Sequence, residues 1–501
     1  MGPKREPPKE NDVRTSFSQQ PAPNVEWRNV LAQVTIDMLP DVCLLEIFHF
    51  HGTGLVGWQT LVHVCRKWRN TVFGSPRRLN LRLLCNVKKL VRKMLDIWPL
   101  LPIVVDFHDW KLELRGVIPK VNLAELLLER SDRICEMYFV NDDFGDLWDA
   151  MMQPFPALTC FGLRYIGPAP VLPDSFLGGS APLLRSLYLL DVPFTGLPTL
   201  LLSATHLVDL RLEDIPESGY LSPKTMATAL STLTRLEYLL IKFQSDKCCP
   251  DRQKSRRSPL PARAFLPVLT DFYFHGVDEY LEDLVVWMDA PILDKLNISL
   301  FLHPYKFDTP QLSQFICRSQ GFHARDEAHL KYDHWDVSVT VPQALGGALD
   351  LEITSSRMLY LENHSLDRRL ASLVQVFNSS LPLPLISSVE RLYIFQVAYV
   401  YWRHNVEGKK LPGLLHSFPA VKALYISWES VLDIVPALQN LTGERVIEVL
   451  PALQTLYLED SPFEPDLSIQ KSTEQFVAAR QLAGRPIAVS SWKREESSCM
   501  Y

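Results

Sequence analysis

Nine cysteines scattered over 501 residues are too few and too irregularly spaced for a disulfide framework. They read as reduced thiols, which fits a cytoplasmic or nuclear protein. Cys248-Cys249, the one adjacent pair, lacks the two-plus-two spacing and the histidines of a zinc site. A basic excess is also missing: 51 Lys and Arg stand against 57 Asp and Glu, a net charge of −6. This argues against nucleic acid or an anionic membrane as the partner. No run approaches the ~18 apolar residues of a membrane span. The N-terminus, MGPKREPPKENDVRTSFSQQPAP, has no apolar signal segment, and Glu6 stands where N-myristoylation requires serine or threonine. Residues 1–33 are expected to form a disordered lead-in, most clearly over the Pro-, Lys-, Glu- and Gln-rich first 25. There is no HExxH, P-loop, GxSxG or glycine-rich dinucleotide motif. The densest ionisable cluster is His323, Asp326, Glu327, His329, Asp333 and His334, whose spacing matches no compact metal motif, so a solvated loop is expected there. No catalytic residue, metal or cofactor is expected, and the chain is not read as an enzyme.

What is present begins at residues 39–69, LPDVCLLEIFHFHGTGLVGWQTLVHVCRKWR. Pro40 followed by Asp41 suits the first turn of a helix, where a missing N–H costs nothing and an acid complements the helix dipole. Leu44, Ile47 and Phe48 then recur at helical spacing, with Leu45 widening the stripe. After Gly52, Gly54 and Gly57, a second stripe of Trp58, Leu61, Cys65, Trp68 and Val72 predicts one further helix. Each large apolar side chain left in water forfeits about 1.5–3 kcal/mol, so two such short helices need a cover.

The order Leu39-Pro40, Leu44, Ile47-Phe48, then Val64-Cys65-Arg66-x-Trp68-Arg69 resembles the F-box, the module through which substrate receptors join an SCF-type ubiquitin ligase. Ser75-Pro76 and Leu79, Leu81, Leu83 continue in the manner of fungal F-box proteins. The resemblance implies an F-box over residues 34–75 that docks on a Skp-type adaptor and through it on a cullin. It assigns adaptor contact to Leu39, Pro40, Leu44, Ile47, Phe48, Val64, Cys65 and Trp68. The three glycines between the helices depart from the family's usual loop.

Downstream, Leu79, Leu81 and Leu83 alternate as a strand should, Val87–Trp98 has helical spacing, and Ile103–Phe107 is strand-like. A pattern apolar-x-x-apolar-x-apolar then recurs ten times, beginning at Ile134, Leu158, Leu184, Leu207, Leu236, Leu269, Leu293, Val389, Val421 and Leu453. Between 293 and 389 lies room for two degenerate copies, which Trp335–Val341 and Leu349–Ile353 are expected to supply. Helical stretches at Asn122–Arg130, Ser222–Thr232, Asp278–Asp289 and Pro310–Ser319 separate copies. One strand-loop-helix unit cannot bury both its faces, so the units are expected to stack. The fold class is therefore α/β: a small helical F-box, then an irregular leucine-rich-repeat solenoid over 76–460 with a parallel sheet on its concave face and helices outside. Divergent repeats of this kind follow many F-boxes.

Along each repeat strand, the residue between the last two apolar positions should face away from the helices. These are Tyr138, Gly162, Tyr188, Arg211, Leu240, Tyr273, Asn297, Tyr393, Tyr425 and Tyr457. Tyr138, Tyr188, Arg211, Tyr273, Tyr393, Tyr425 and Tyr457 are the target-binding candidates, because exposed tyrosines combine stiff contact area with a polar tip; ordinary ring packing along a sheet is the competing reading. Asp209, Glu213, Lys242, Asp271, His275, Lys295 and Arg391 flank them. The basic segment 244–263 is read as a solvated insertion. Residues 461–501, with a helix over Ser472–Leu482 and then Pro486–Val489, are read as a cap on the last repeat. The expected function is substrate recognition for an SCF-type ligase, with an unknown protein target. The alternative is a leucine-rich-repeat interaction scaffold with no ubiquitin connection.

Overall fold

The computed structural model describes residues 36–51, 57–86, 100–107, 120–141, 146–165, 171–248, 263–301, 309–332, 336–342, 347–354, 369–375, 383–396, 411–441, 443–460 and 467–494. The expected lead-in at 1–33, the Val87–Trp98 helix, Gly52, Gly54, Asp333, His334, Trp335 and all but the ends of the basic segment 244–263 lie outside them. The chain divides into two units, Met1–Leu83 and Leu84–Tyr501.

The first unit is helical. Pro40 immediately precedes the helix Asp41–His51 and its carbonyl accepts from the Leu44 N–H at 3.1 Å, so the proline stands before the first turn and not within it. The second apolar stripe does not form one helix. It splits into Gly57–Val62 and Arg66–Gly74 because the chain turns at His63–Val64 and Cys65 takes an extended conformation as N-cap. The Cys65 Sγ accepts from the Trp68 N–H at 3.4 Å, replacing an interior helical bond with a cap. Leu44, Leu45, Phe48, Trp58, Leu61, Val62 and Val72 form the core, with the Phe48 and Trp68 rings 4.8 Å apart. The strand expected over Leu79–Leu83 begins only at Leu83; residues 76–80 form a turn, closed by the Leu81 N–H on the Pro76 carbonyl.

The second unit is α/β, built on a large, mostly parallel sheet. Its strands are β1 (Leu83–Asn86), β2 (Ile103–Phe107), β3 (Ile134–Asn141), β4 (Cys160–Tyr165), β5 (Ser186–Leu190), β6 (Asp209–Ile215) and β7 (Tyr238–Phe243). After the short β8 (Ala264–Phe265) come β9 (Asp271–Gly276), the short β10 (Met288–Asp289) and β11 (Lys295–Phe301). Then follow β12 (Glu327–Tyr332), β13 (Asp336–Pro342), β14 (Ala348–Thr354), β15 (Arg391–Gln396), β16 (Ala423–Ile426), β17 (Thr455–Glu459) and β18 (Ala488–Trp492). β8 and β10 pair with each other. Among the described residues the other sixteen form one sheet in chain order, except that β11 is followed by β14, β13 and β12 before β15.

The segments expected as strands between 293 and 389 do form β13 and β14, but the reversed order departs from two further parallel copies. Three strands fill the gap, and β13 runs antiparallel to both β12 and β14. The segment read as a solvated loop around His329 contains β12, whose Ala328, Leu330 and Tyr332 are buried while Glu327, His329 and Lys331 face outward. The alternation in Glu-Ala-His-Leu-Lys-Tyr carried the strand signal.

The strand leucines form the buried face; Leu187, Leu210, Leu239, Leu296, Leu392, Leu424 and Leu456 have no exposed surface. Helices between the strands, among them Lys120–Arg130, Leu197–Ser203, Pro223–Leu230, Asp278–Val286, Pro310–Arg318 and Val431–Gln439, contribute their own apolar residues to the core. Two buried charged groups tie neighbouring segments of this second unit together. Glu282 accepts from the backbone N–H groups of Gln311 (2.9 Å) and Leu312 (2.7 Å), capping the next helix from outside its own chain segment. Arg480, fully buried in the helix Leu467–Leu482, donates to the carbonyls of Val446, Leu450 and Leu453. The C-terminal segment is more than a cap: β18 adds a parallel strand to β17.

Candidate functional site

The ten outward positions chosen from the repeat pattern fall on one line across the sheet. Strand register pairs Tyr138 with Gly162, Gly162 with Tyr188, Tyr188 with Arg211, Arg211 with Leu240, Leu240 with Tyr273 and Tyr273 with Asn297. The line continues through Asp350, Thr340 and His329 of the three inserted strands to Tyr393, Tyr425 and Tyr457. The inserted strands thus keep the row unbroken although one of them runs backwards.

The row changes chemistry along its length. Near β3 the Tyr138 ring lies over Gly162, where a Cβ would sit 2.8 Å from Tyr138 Cδ1. Arg211 is held by three bonds to the Asp209 carboxylate and places its guanidinium 4.4 Å from the centre of the Tyr238 ring, which stacks on Tyr273 at 5.1 Å. Burial pushes the Tyr238 hydroxyl up to about 12 and raises Tyr188 and Tyr273 in the same direction. The flanking charges largely satisfy each other, Lys242 with Asp214 at 3.1 Å and Lys295 with Asp271 at 3.3 Å.

In the middle, Asn297 and Thr340 both donate to the Asp350 carboxylate, at 3.1 and 3.0 Å, and burial pushes that carboxyl above its usual range. His329 is bonded to Glu327 at 2.6 Å, and this bond, with Arg391 beside it at 3.2 Å, holds the Glu327 carboxyl low. Arg391 also reaches Asp326 at 3.0 Å.

Beyond β12 the face is aromatic. The rings of Tyr393, Tyr425 and Tyr457 stack at 4.3 and 4.4 Å, nearly parallel, one on each of three adjacent strands. This follows from the strand spacing, which brings in-register rings within stacking distance. Burial, then the Glu327 charge, pushes the Tyr393 hydroxyl up to about 12. Trp492 of β18 lies edge-on to Tyr425 at 5.5 Å and to Tyr393 at 6.0 Å, and donates its indole N–H to the Ile426 carbonyl. Arg494 covers Phe395 at 5.0 Å while paired with Glu429 and Glu459. Such a surface offers stiff, half-buried rings with polar tips and few mobile side chains to order on binding.

In the helical unit the residues assigned to adaptor contact divide. Leu44 and Phe48 are core, Leu39, Cys65 and Trp68 are half-buried, and Pro40, Ile47 and Val64 are exposed. Ile36, Met38, Val42 and Phe50, outside that assignment, are exposed too, Phe50 to 79%. Helical spacing marked Phe48 as apolar but could not say which of the many apolar residues in Asp41–His51 face inward, since that helix is apolar nearly all round.

Sequence reasoning also missed Tyr238, His329, Phe395, Trp492 and Arg494. Tyr238 and Phe395 stand two residues from row positions on the same strands, so period-two alternation marks them; Trp492 belongs to a strand outside the repeat pattern, and Arg494 follows that strand by two residues. Among the described residues no group of three or more His, Cys, Asp or Glu side chains is placed to hold a metal ion. No described helix is long and apolar enough to cross a membrane. No protein-family model matches this chain, and no curated protein matches it.

Proposed function

We propose that this chain is a non-catalytic substrate receptor of an SCF-type ubiquitin ligase. Its helical unit is an F-box that docks on a Skp-type adaptor, and its repeat unit is a leucine-rich-repeat solenoid that holds a protein target on the row of Tyr138, Tyr188, Arg211, Tyr273, Tyr393, Tyr425 and Tyr457. The observation that carries the first half is the exposure of Met38, Val42, Ile47, Phe50 and Val64 on a unit that already has a core of its own. Apolar surface of that density is what a partner helix covers. The in-register row supports the second half. The chemistry takes place on other subunits; this chain raises the effective concentration of a target lysine near the charged enzyme.

The burial of Leu44 and Phe48 inside the unit favours a second reading, a repeat scaffold whose helices need no adaptor. A pull-down with purified adaptor separates the two. The receptor retains it, and Ile47→Ser with Phe50→Ser releases it. Retention unchanged by that pair, or none by the wild type, favours the scaffold. Tyr393, Tyr425 and Tyr457 changed to Ser weaken target capture without touching the adaptor.

A further inference from the structure

Among the described residues the sheet ends in a strand paired on one edge only. Within β18 the Ala488 N–H bonds the Gln454 carbonyl and the Trp492 carbonyl accepts from the Asp460 N–H, so residues 488, 490 and 492 turn their backbone groups toward β17. In a parallel ladder the alternate residues, Val489 and Ser491, turn theirs outward. Both are exposed, and no other strand lies beyond β18 among the described residues. The strand reads Ala-Val-Ser-Ser-Trp, with none of the charges, prolines or bulges that usually blunt an edge. Lys493 directly follows the strand and Arg485 precedes it by three residues, both exposed cations.

The floor beside this edge is also unfinished. Tyr457 stacks on Tyr425 on one side; on the other its register partner is Ser490, exposed and too small to cover a ring. The same face shows how far a ring can reach. Trp492 of β18 crosses β17 to bond Ile426 of β16, two strands away. An aromatic side chain on a strand added beyond β18 has the same span to Tyr457.

We propose that β18 is a docking edge for an extended segment of the target protein. The segment adds a strand through the outward N–H and C=O groups of Val489 and Ser491, lays an aromatic residue across Ser490 onto the open face of Tyr457, and carries acidic residues at its ends to meet Arg485 and Lys493. A second copy of this chain fits less well, because the one ring in its own β18, Trp492, is already held against Tyr425 and the Ile426 carbonyl. The inference rests on the target-binding half of the reading above. Its test uses the chain without adaptor, so a failed adaptor pull-down and a failed edge are separate results.

The probes are a labelled peptide, Glu-Thr-Val-Thr-Phe-Thr-Val-Thr-Glu, and its counterpart with alanine for phenylalanine, titrated against the full chain by fluorescence anisotropy. The phenylalanine peptide binds about tenfold tighter. Ser491→Pro removes an outward N–H while sparing the bonds to β17, and it weakens both peptides about tenfold. Tyr457→Ser brings the phenylalanine peptide down to the level of the alanine one. Should Ser491→Pro lower the melting temperature, peptides N-methylated at alternate amides remove the same bonds from the ligand side and give the same loss. Absence of binding by both peptides, a phenylalanine preference that survives Tyr457→Ser, or a self-dimer that Ser491→Pro dissolves overturns the proposal.

Discussion

Phe48 and Phe50 are two residues apart in one helix and do opposite work. Phe48 is 1% exposed and packs its ring on Trp68 at 4.8 Å, whereas Phe50 is 79% exposed. Phe48→Ala removes a buried ring, at about 3–5 kcal/mol for phenylalanine in a core. A helical unit of this size holds only a few kcal/mol of its own stability, so the loss melts it. Phe50→Ala leaves the fold within about 0.5 kcal/mol, as surface substitutions do. At a docking surface the same truncation removes an anchor of about 2 kcal/mol, close to thirtyfold in affinity. Limited proteolysis reports the fold and calorimetry with purified adaptor reports the affinity. The expected pattern is that Phe48→Ala becomes protease-sensitive between residues 41 and 75 and loses binding with the fold. Phe50→Ala stays resistant and loses binding alone. Equal protease resistance in the two variants refutes the assignment of Phe48 to the core, and wild-type affinity in Phe50→Ala refutes the docking surface.

Three further outcomes follow from the sheet unit. Tyr425 has stacked neighbours on both sides and Tyr457 on one. At about 0.5–1.5 kcal/mol per aromatic pair, and with Trp492 edge-on to Tyr425 as a third pair, Tyr425→Leu costs roughly three times what Tyr457→Leu does, read as faster amide exchange in β16 and β17. Glu282→Ala strips the acceptor from two N–H groups of the helix Pro310–Arg318, costing about 2–4 kcal/mol, and raises exchange in residues 309–318 before the rest of the unit; Glu282→Gln, keeping one acceptor oxygen, falls between. Burial, and then the hydrogen bond with Glu279, pushes the Asp278 carboxyl from 3.8 to about 8. Its folded value lies above its unfolded one, so its contribution is complete below about pH 4 and is lost as pH rises toward 8. Asp278→Asn flattens the fall in denaturation midpoint across that window, and an unchanged slope contradicts the burial argument.

The period-two pattern in the repeats was the most legible part of the chain, because buried leucines at fixed offsets leave the alternate positions no choice of face. From it follow the strand register and the line of Tyr138, Tyr188, Tyr273, Tyr393, Tyr425 and Tyr457. The reversal at β12–β14 was not legible. Alternation marks strands but says nothing of their order or direction, and the charges of Glu327, His329 and Lys331 disguised β12 as solvent-exposed loop. In the helical unit the apolar residues were plain and their sidedness was not. Leu44 and Phe48 share the inner face, while Val42, Ile47 and Phe50 share the outer one. The cap at Cys65 was hidden because cysteine seldom serves as N-cap, so the stripe Trp58, Leu61, Cys65, Trp68 and Val72 read as one continuous helix. Trp492 escaped notice because its role depends on reaching across β17.

Docking of the helical unit on a Skp-type adaptor, as proposed, is open to one direct measurement. The full chain, co-expressed with a Skp-type adaptor and passed over a sizing column, should elute with it as a one-to-one complex. Cross-links from the adaptor should fall between residues 36 and 75. An adaptor that elutes alone, or cross-links that map to the sheet unit instead, contradicts the claim.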